Sequence, residues 1–187
     1  MPKVVLASQS TSRRRLLEGA GITPIVMVSR VDEETEFFNA MTPADMVIAL
    51  AVTKAHTVRE QVDFPAIIIG CDSTFDVDGI SFGKPGTPEI AKERALAISG
   101  RSGLLHTGHC IIDTVQGREI ADRVTTKVTF SEMSDLEIDD YIASGEPLQV
   151  AGGFTLDGFG SPFIPVIDGD YTNVVGLSMP FLRSAMS

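Results

Sequence analysis

Apolar and polar positions alternate between two periods along this chain, and the switches between them predict its elements. Lys3 to Ala7 (KVVLA) reads as a short strand. It runs into a hydroxyl-rich stretch, Ser8, Ser10, Thr11 and Ser12, that opens a helix ending near Gly21. Pro24 to Ser29 reads as a second strand. Thr42-Pro43 caps a helix with Val47, Leu50, Ala51 and Lys54 on one face. Ala66 to Ile69 is a continuous, mostly β-branched run, as expected of a strand buried on both faces. That run stops at Gly70, which puts Asp72 just past a strand end. Asp78-Gly79, set between Phe75/Val77 and Ile80/Phe82, predicts a hairpin, and Gly83-Lys84-Pro85 follows it.

Further on, Thr87-Pro88 opens a helix carrying Ala91, Ala95 and Ile98, which ends at Ser99-Gly100. Two strands, Leu104 to Asp113 and Ile120 to Phe130, join through Gln116-Gly117; Val124, Thr126, Val128 and Phe130 share one face of the second. Ser134 and Glu137 form a capping box for a helix through Ile138, Tyr141 and Ile142 that stops at Gly145. The last third is glycine-rich. In it, Phe163 to Val166 and Tyr171 to Val175 flank a hairpin signal at Asp168-Gly169-Asp170, and a short helix follows Gly176 and Pro180. Strands mixed with helices and hairpins predict an α/β fold with a mixed sheet, and no linker divides the 187 residues, so 1–187 is expected to be a single domain.

Composition narrows the function classes. A net charge of −10 argues against a nucleic-acid polymer as partner, since such binding needs a basic surface. No stretch has the length and apolarity of a membrane span, and the N-terminus lacks the apolar core of a signal peptide. The two cysteines, Cys71 and Cys110, stand at no metal spacing and read as reduced thiols in a cytoplasmic protein. His106 and His109 read as structural, and His56 as an exposed helix residue.

Against that acidic background three basic side chains, Arg13, Arg14 and Arg15, crowd a helix start, where they add to the positive end of the macrodipole. With Ser8 and Ser10 beside them they predict an anion site such as one for phosphate. Lys54 on an apolar helical face either snorkels or meets an anion. Asp72 and Lys84 are candidate site residues in the middle of the chain, and one carboxylate of the run Asp32, Glu33, Glu34 and Glu36 is a candidate metal ligand.

Taken together, LASQSTSRRRLL at 6–17, VDEE at 31–34, Lys54-Ala55, GCD at 70–72, DGISFGKP at 78–85, SGR at 99–101, TG at 107–108, SGEPLQVAGGF at 144–154 and NVVGL at 173–177 resemble the Maf family of nucleoside triphosphate pyrophosphatases. The resemblance implies a two-lobed Maf/ITPase-like α/β fold with a twisted mixed β-sheet and a deep central cleft, often dimeric. It implies hydrolysis of a nucleoside triphosphate between the α and β phosphates, dependence on Mg²⁺ or Mn²⁺, removal of non-canonical nucleotides and a link to cell-division arrest. Carried over by position, Asp72 is the proton acceptor for water and a metal ligand, Glu33 a metal-side carboxylate, and Ser8, Arg13, Lys54 and Lys84 phosphate contacts; Ser10, Arg14, Ser73 and Asp157 are expected to face substrate. The chain departs from the family pattern at Thr11, Ser12, Cys71, Ser73 and Asp157. The last replaces the Gln or Glu that marks two substrate branches, so the base is open. The rival readings are a non-catalytic nucleotide-binding regulator of septum formation and a cysteine hydrolase built on Cys71, beside which nothing in the sequence places a histidine.

Overall fold

The computed structural model describes residues 2–187. Among them, seven strands form one mixed sheet in the order β2-β1-β3-β5-β6-β7, with β4 paired to β3. β1 (Lys3–Leu6) lies parallel to β2 (Ile25–Val26) on one side and to β3 (Ala66–Val77) on the other. β3, β5 (Ser102–Asp113) and β6 (Arg118–Thr129) are antiparallel twelve-residue strands. β4 (Ile80–Phe82) and β7 (Val166–Asp168) are short.

The strand at 66 does not end at Gly70 as the sequence reading held. It continues to Val77, because β5 keeps pairing with it through Gly70↔Cys110, Asp72↔Gly108 and on to Asp76↔Leu104. What ends at Ile69 is the partnership with β1, whose last paired residue is Leu6. Asp72 thus lies inside a strand, just beyond the point where its parallel neighbour leaves it. The hairpin forms as expected, with Asp78 and Gly79 both at positive φ, the pattern of a type I′ turn.

The helices are α1 (Thr11–Gly19), α2 (Glu36–Asn39), α3 (Pro43–Arg59), α4 (Pro88–Ile98), α5 (Asp135–Ala143), α6 (Tyr171–Val175) and α7 (Met179–Ala185). Ser10, Thr42, Thr87 and Ser134 cap their helices through side-chain oxygens, as read from the sequence. One predicted strand is cut short and another is replaced by a helix. Pro24 to Ser29 contributes only Ile25–Val26, because four-residue β1 offers partners no further than Val5↔Ile25 and Leu6↔Val26. Tyr171 to Val175 is helical: Asp170 accepts from the Thr172 amide at 2.8 Å and its hydroxyl at 2.6 Å, an N-cap that starts a helix where a hairpin was expected. Phe163 accordingly closes a 3-10 turn, and the strand begins at Val166.

Alternation along β3 sorts the core. Ile68 and Cys110 face α3 in one cluster with Val5, Ala51, Ala55 and Val58. Ile69, Cys71 and Ile111 face α1 and α7 on the opposite side. Further along the same strands Phe75, Leu105, Val128, Phe130 and Phe154 make a separate cluster with Ile98 of α4. The two ends of β3 and β5 therefore carry distinct cores, and a polar belt crosses between them.

α3 lies unusually close to the sheet. A Cβ at Gly70 would come within 2.2 Å of the Ala51 carbonyl oxygen, and one at Gly108 within 2.0 Å of that of Val47. Only glycine lets backbone approach backbone so nearly.

Candidate active site

This close seating brings Lys54 to the sheet. Its side chain is buried on the face predicted, with 6 % of the residue exposed. Nζ lies 2.7 Å from Asp72 Oδ1 and 2.7 Å from Glu33 Oε1. One ammonium therefore draws together a carboxylate from mid-β3 and another from the acidic segment after β2. Asp72 is 8 % exposed. Burial raises its pKa above the ordinary carboxylate range; Lys54, then Arg13, pull it back, and Glu33 adds to the rise. A carboxyl so balanced accepts a proton more readily than one in water.

Arg13 comes from the first turn of α1 and is 9 % exposed. The last β1-side amide contact along the edge is Ala7 N to Ile69 O at 2.8 Å. The carbonyl two residues further on, Cys71 O, accepts instead from Arg13 Nη1 at 3.0 Å. A guanidinium thus takes over where the strand departs. Nη1 also donates to Ser8 Oγ at 3.0 Å, Nη2 to Ser73 Oγ at 2.9 Å, and Nε to Gly176 O at 2.7 Å. Four of the five guanidinium N–H groups are committed to protein acceptors, and a single Nη2 hydrogen is left for a ligand.

The bonds continue inward. Thr107 Oγ1 donates to Asn173 O at 3.0 Å, so its 2.9 Å contact with Ser73 has Ser73 as donor. Ser73 therefore receives from Arg13 and gives to Thr107. Asn173 is itself buried and donates to Leu105 O at 3.2 Å and Thr126 Oγ1 at 3.1 Å. Thr107, Asn173 and Gly176 were given no roles in the sequence reading beyond their place in two motifs. The single available signal was a polar residue inside an apolar run.

Of the other expected site residues, Ser8 and Ser10 stay beside Arg13, while Arg14, Lys84 and Asp157 are exposed. Ser8 accepts from Ser10 N at 3.2 Å and from Arg13, which leaves its own proton unassigned, while Ser10 caps α1 by accepting from Arg13 N. Arg14 points outward and pairs with Glu18 at 2.7 Å. Lys84 is exposed on the loop after β4 and makes no ion pair among the described residues. Asp157 is exposed on the glycine-rich segment before β7.

The cysteine reading fails on chemistry although the fold does supply a histidine. His109 faces Cys71 across the β3–β5 ladder. Its Nε2 accepts from Ser178 N at 2.9 Å, which leaves the proton of the neutral ring on Nδ1. The Cys71 thiol is fully buried and pushed up to about 11 by that burial. It is no nucleophile at neutral pH.

Among the described residues no group of three or more His, Cys, Asp or Glu side chains is arranged to hold a metal alone. The donor set still suits Mg²⁺ or Mn²⁺. Such ions are held through one or two carboxylates plus substrate phosphates, and Asp72 and Glu33 each keep one oxygen outside the Lys54 contact.

Similarity to known proteins extends over nearly the whole chain. The family model described as Maf-like protein matches residues 3–187. A nucleoside triphosphate pyrophosphatase of Streptomyces coelicolor is 50% identical over 186 residues, covering 99% of this chain and 89% of that protein. One of Prochlorococcus marinus strain MIT 9303 is 47% identical, covering 96% of this chain and 95% of its own. One of Thermosynechococcus vestitus is 46% identical, with coverages of 98% and 91%. A solved dITP/XTP pyrophosphatase from Mycobacterium abscessus aligns with a TM-score of 0.45 at 12% identity over 99% of this chain and 98% of that one, too weak a likeness to bear on the fold. With a match across nearly its whole length, this chain belongs to the Maf-like protein family.

Proposed function

We propose that the chain hydrolyses the α–β phosphoanhydride of a nucleoside triphosphate to the monophosphate and pyrophosphate. The observation that carries this is Lys54, buried between Asp72 and Glu33, with Arg13 on the open edge of β3 beside them.

A triphosphate carries about four negative charges, so several cations must meet it in a locally basic site. Lys54 supplies a buried positive charge. Arg13 supplies its field and one N–H, while its other bonds hold Ser8, Cys71 and Ser73 in place around Asp72. Lys84 approaches the phosphates from the loop after β4, and Asp157 meets the base edge as an acceptor. Asp72 takes the proton of the attacking water as the new P–O bond forms at the α phosphorus. The Pα–O–Pβ bond breaks, and pyrophosphate leaves with the electron pair. Asp72 and Glu33 would hold a divalent cation, which when bound supplies charge neutralisation for the phosphates. The family resemblance supports a cytoplasmic reaction, homodimerisation and a role against non-canonical nucleotides.

The test is pyrophosphate release from a panel of canonical and modified triphosphates with Mg²⁺ or Mn²⁺. The unmodified chain releases pyrophosphate. Asp72→Asn loses release by about 10³-fold while nucleotide binding, followed by calorimetry, survives. Binding without release in the unmodified chain would instead support a nucleotide-binding regulator.

A further inference from the structure

Lys84 presents its amine without a protein partner, yet the backbone that carries it is held from both sides. On one side the Gly83 carbonyl accepts from Arg94 Nη1 and from Gly152 N, the latter at 3.2 Å. On the other, Gly86 N donates to Leu148 O at 2.9 Å. Pro85 between them is buried, and a Cβ on Gly153 would come within 3.1 Å of its ring. The exposed lysine therefore stands on a short loop with little freedom of its own.

Arg94 is the unusual member of this brace. It rises from the middle of α4, half-buried, with its guanidinium over the Phe82 ring at 5.4 Å from the centroid. Among the described residues it has no carboxylate within ion-pair distance, so its role is not that of a salt bridge. Desolvating a guanidinium without a carboxylate partner works against stability. Among the described residues its side chain makes one hydrogen bond, and that bond ends on the carbonyl adjoining Lys84. A stacked, planar donor fixes direction as well as distance, which a lysine or an aliphatic side chain would not do.

We infer that Arg94 is a positioning residue for Lys84: by stacking on Phe82 and clamping the Gly83 carbonyl, it sets where the lysine amine meets the phosphates. The inference rests on the proposed role of Lys84. It extends the site to α4, which contributes no group that touches substrate.

Pyrophosphate release separates this role from plain structural support when read on four full-length proteins: unmodified, Arg94→Met, Lys84→Ala and the double variant. Methionine keeps apolar cover on Phe82 but removes the N–H. Arg94→Met is expected to lower kcat/KM about tenfold, because a displaced cation loses much of its effect on the transition state. In the Lys84→Ala background the same substitution should change kcat/KM by less than about twofold, since residues acting through one another are not additive. Arg94→Lys, which restores a donor without the planar stack, should recover part of the loss, and it stands in should the methionine variant fail to fold.

A loss from Arg94→Met that persists in full without Lys84 overturns the inference, as does Arg94→Met kinetics equal to those of the unmodified protein. Lys84→Ala kinetics equal to those of the unmodified protein instead overturn the assignment of Lys84 beneath it.

Discussion

His109 shows how far a single buried side chain supports the site without touching it. It is 0 % exposed, lies 4.8 Å from the Phe181 ring, and accepts the Ser178 amide. That amide begins α7, two residues beyond the Gly176 carbonyl that receives Arg13 Nε. Burial drives the imidazole down to about 4, with Arg13 adding to the effect. The folded pKa therefore lies below the usual 6.5, and between the two values the unfolded chain binds more protons than the folded one. Stability present above pH 6.5 is lost as pH falls towards 4, by about 3 kcal/mol at most. Urea midpoints measured from pH 7 to 4.5 should fall more steeply for the unmodified chain than for His109→Gln, which has nothing to titrate there; parallel profiles would remove His109 from the account. None of this was visible in the sequence, where two histidines stood near each other without a ligand spacing. Lys54 was legible only in part: a charge on an apolar helical face must either snorkel or meet an anion, and the sequence does not say which. Arg13 was legible as a basic residue at a helix start, but not how its N–H groups are used. Three of its four acceptors, Cys71, Ser73 and Gly176, are 58, 60 and 163 residues away.

At the scale of elements, the contact between α3 and the β3–β5 pair decides whether the site exists. Gly70 and Gly108 admit the α3 backbone, and Gly108 stands directly across from Asp72. Gly70→Ala or Gly108→Ala would press a methyl into a helix carbonyl that no side-chain rotation can relieve. Each should cost about 2–3 kcal/mol. Each should also reduce pyrophosphate release more than that loss of folded protein explains, because Lys54 retreats with the helix. Denaturation midpoints together with rates on the remaining folded fraction check both halves. A glycine in a strand interior is itself a sequence signal for such an approach, though not for which element approaches. The capped helices and the Asp78-Gly79 hairpin were readable because their signals are local. The failures have one cause. Tyr171 to Val175 carries strand-like composition, but Asp170 supplies a cap and Asn173 finds partners on β5 and β6, so tertiary contacts override propensity. Likewise Gly70 looked like a strand end because the run of β-branched residues stops there, while the ladder to β5 does not.

Over the whole molecule, β3, β5 and β6 tie two cores into one body. One end is packed by α1, α3 and α7; at the other, Phe75, Phe130 and Phe154 meet edge to face with ring centroids 4.9–5.8 Å apart. The acidic net charge was readable as an argument against polymer binding, and the sheet as mixed, but the division into two cores was not, since alternation alone does not say which face a helix covers. Because the same three strands traverse both cores, damage to one should be felt in the other. Phe154→Ala removes a ring from the second core and should cost about 3–5 kcal/mol. The two thiols report on the first core: Cys71 and Cys110 are buried there, and burial holds them near about 11 and about 12. Thiol labelling in rising urea therefore follows the first core alone, while far-UV circular dichroism follows every element. In Phe154→Ala the two curves should shift together to one lower midpoint, as a single cooperative unit requires. Labelling that stays at the original midpoint while the dichroism falls early would mean that the cores unfold separately, and that residues 1–187 are two folding units sharing a sheet.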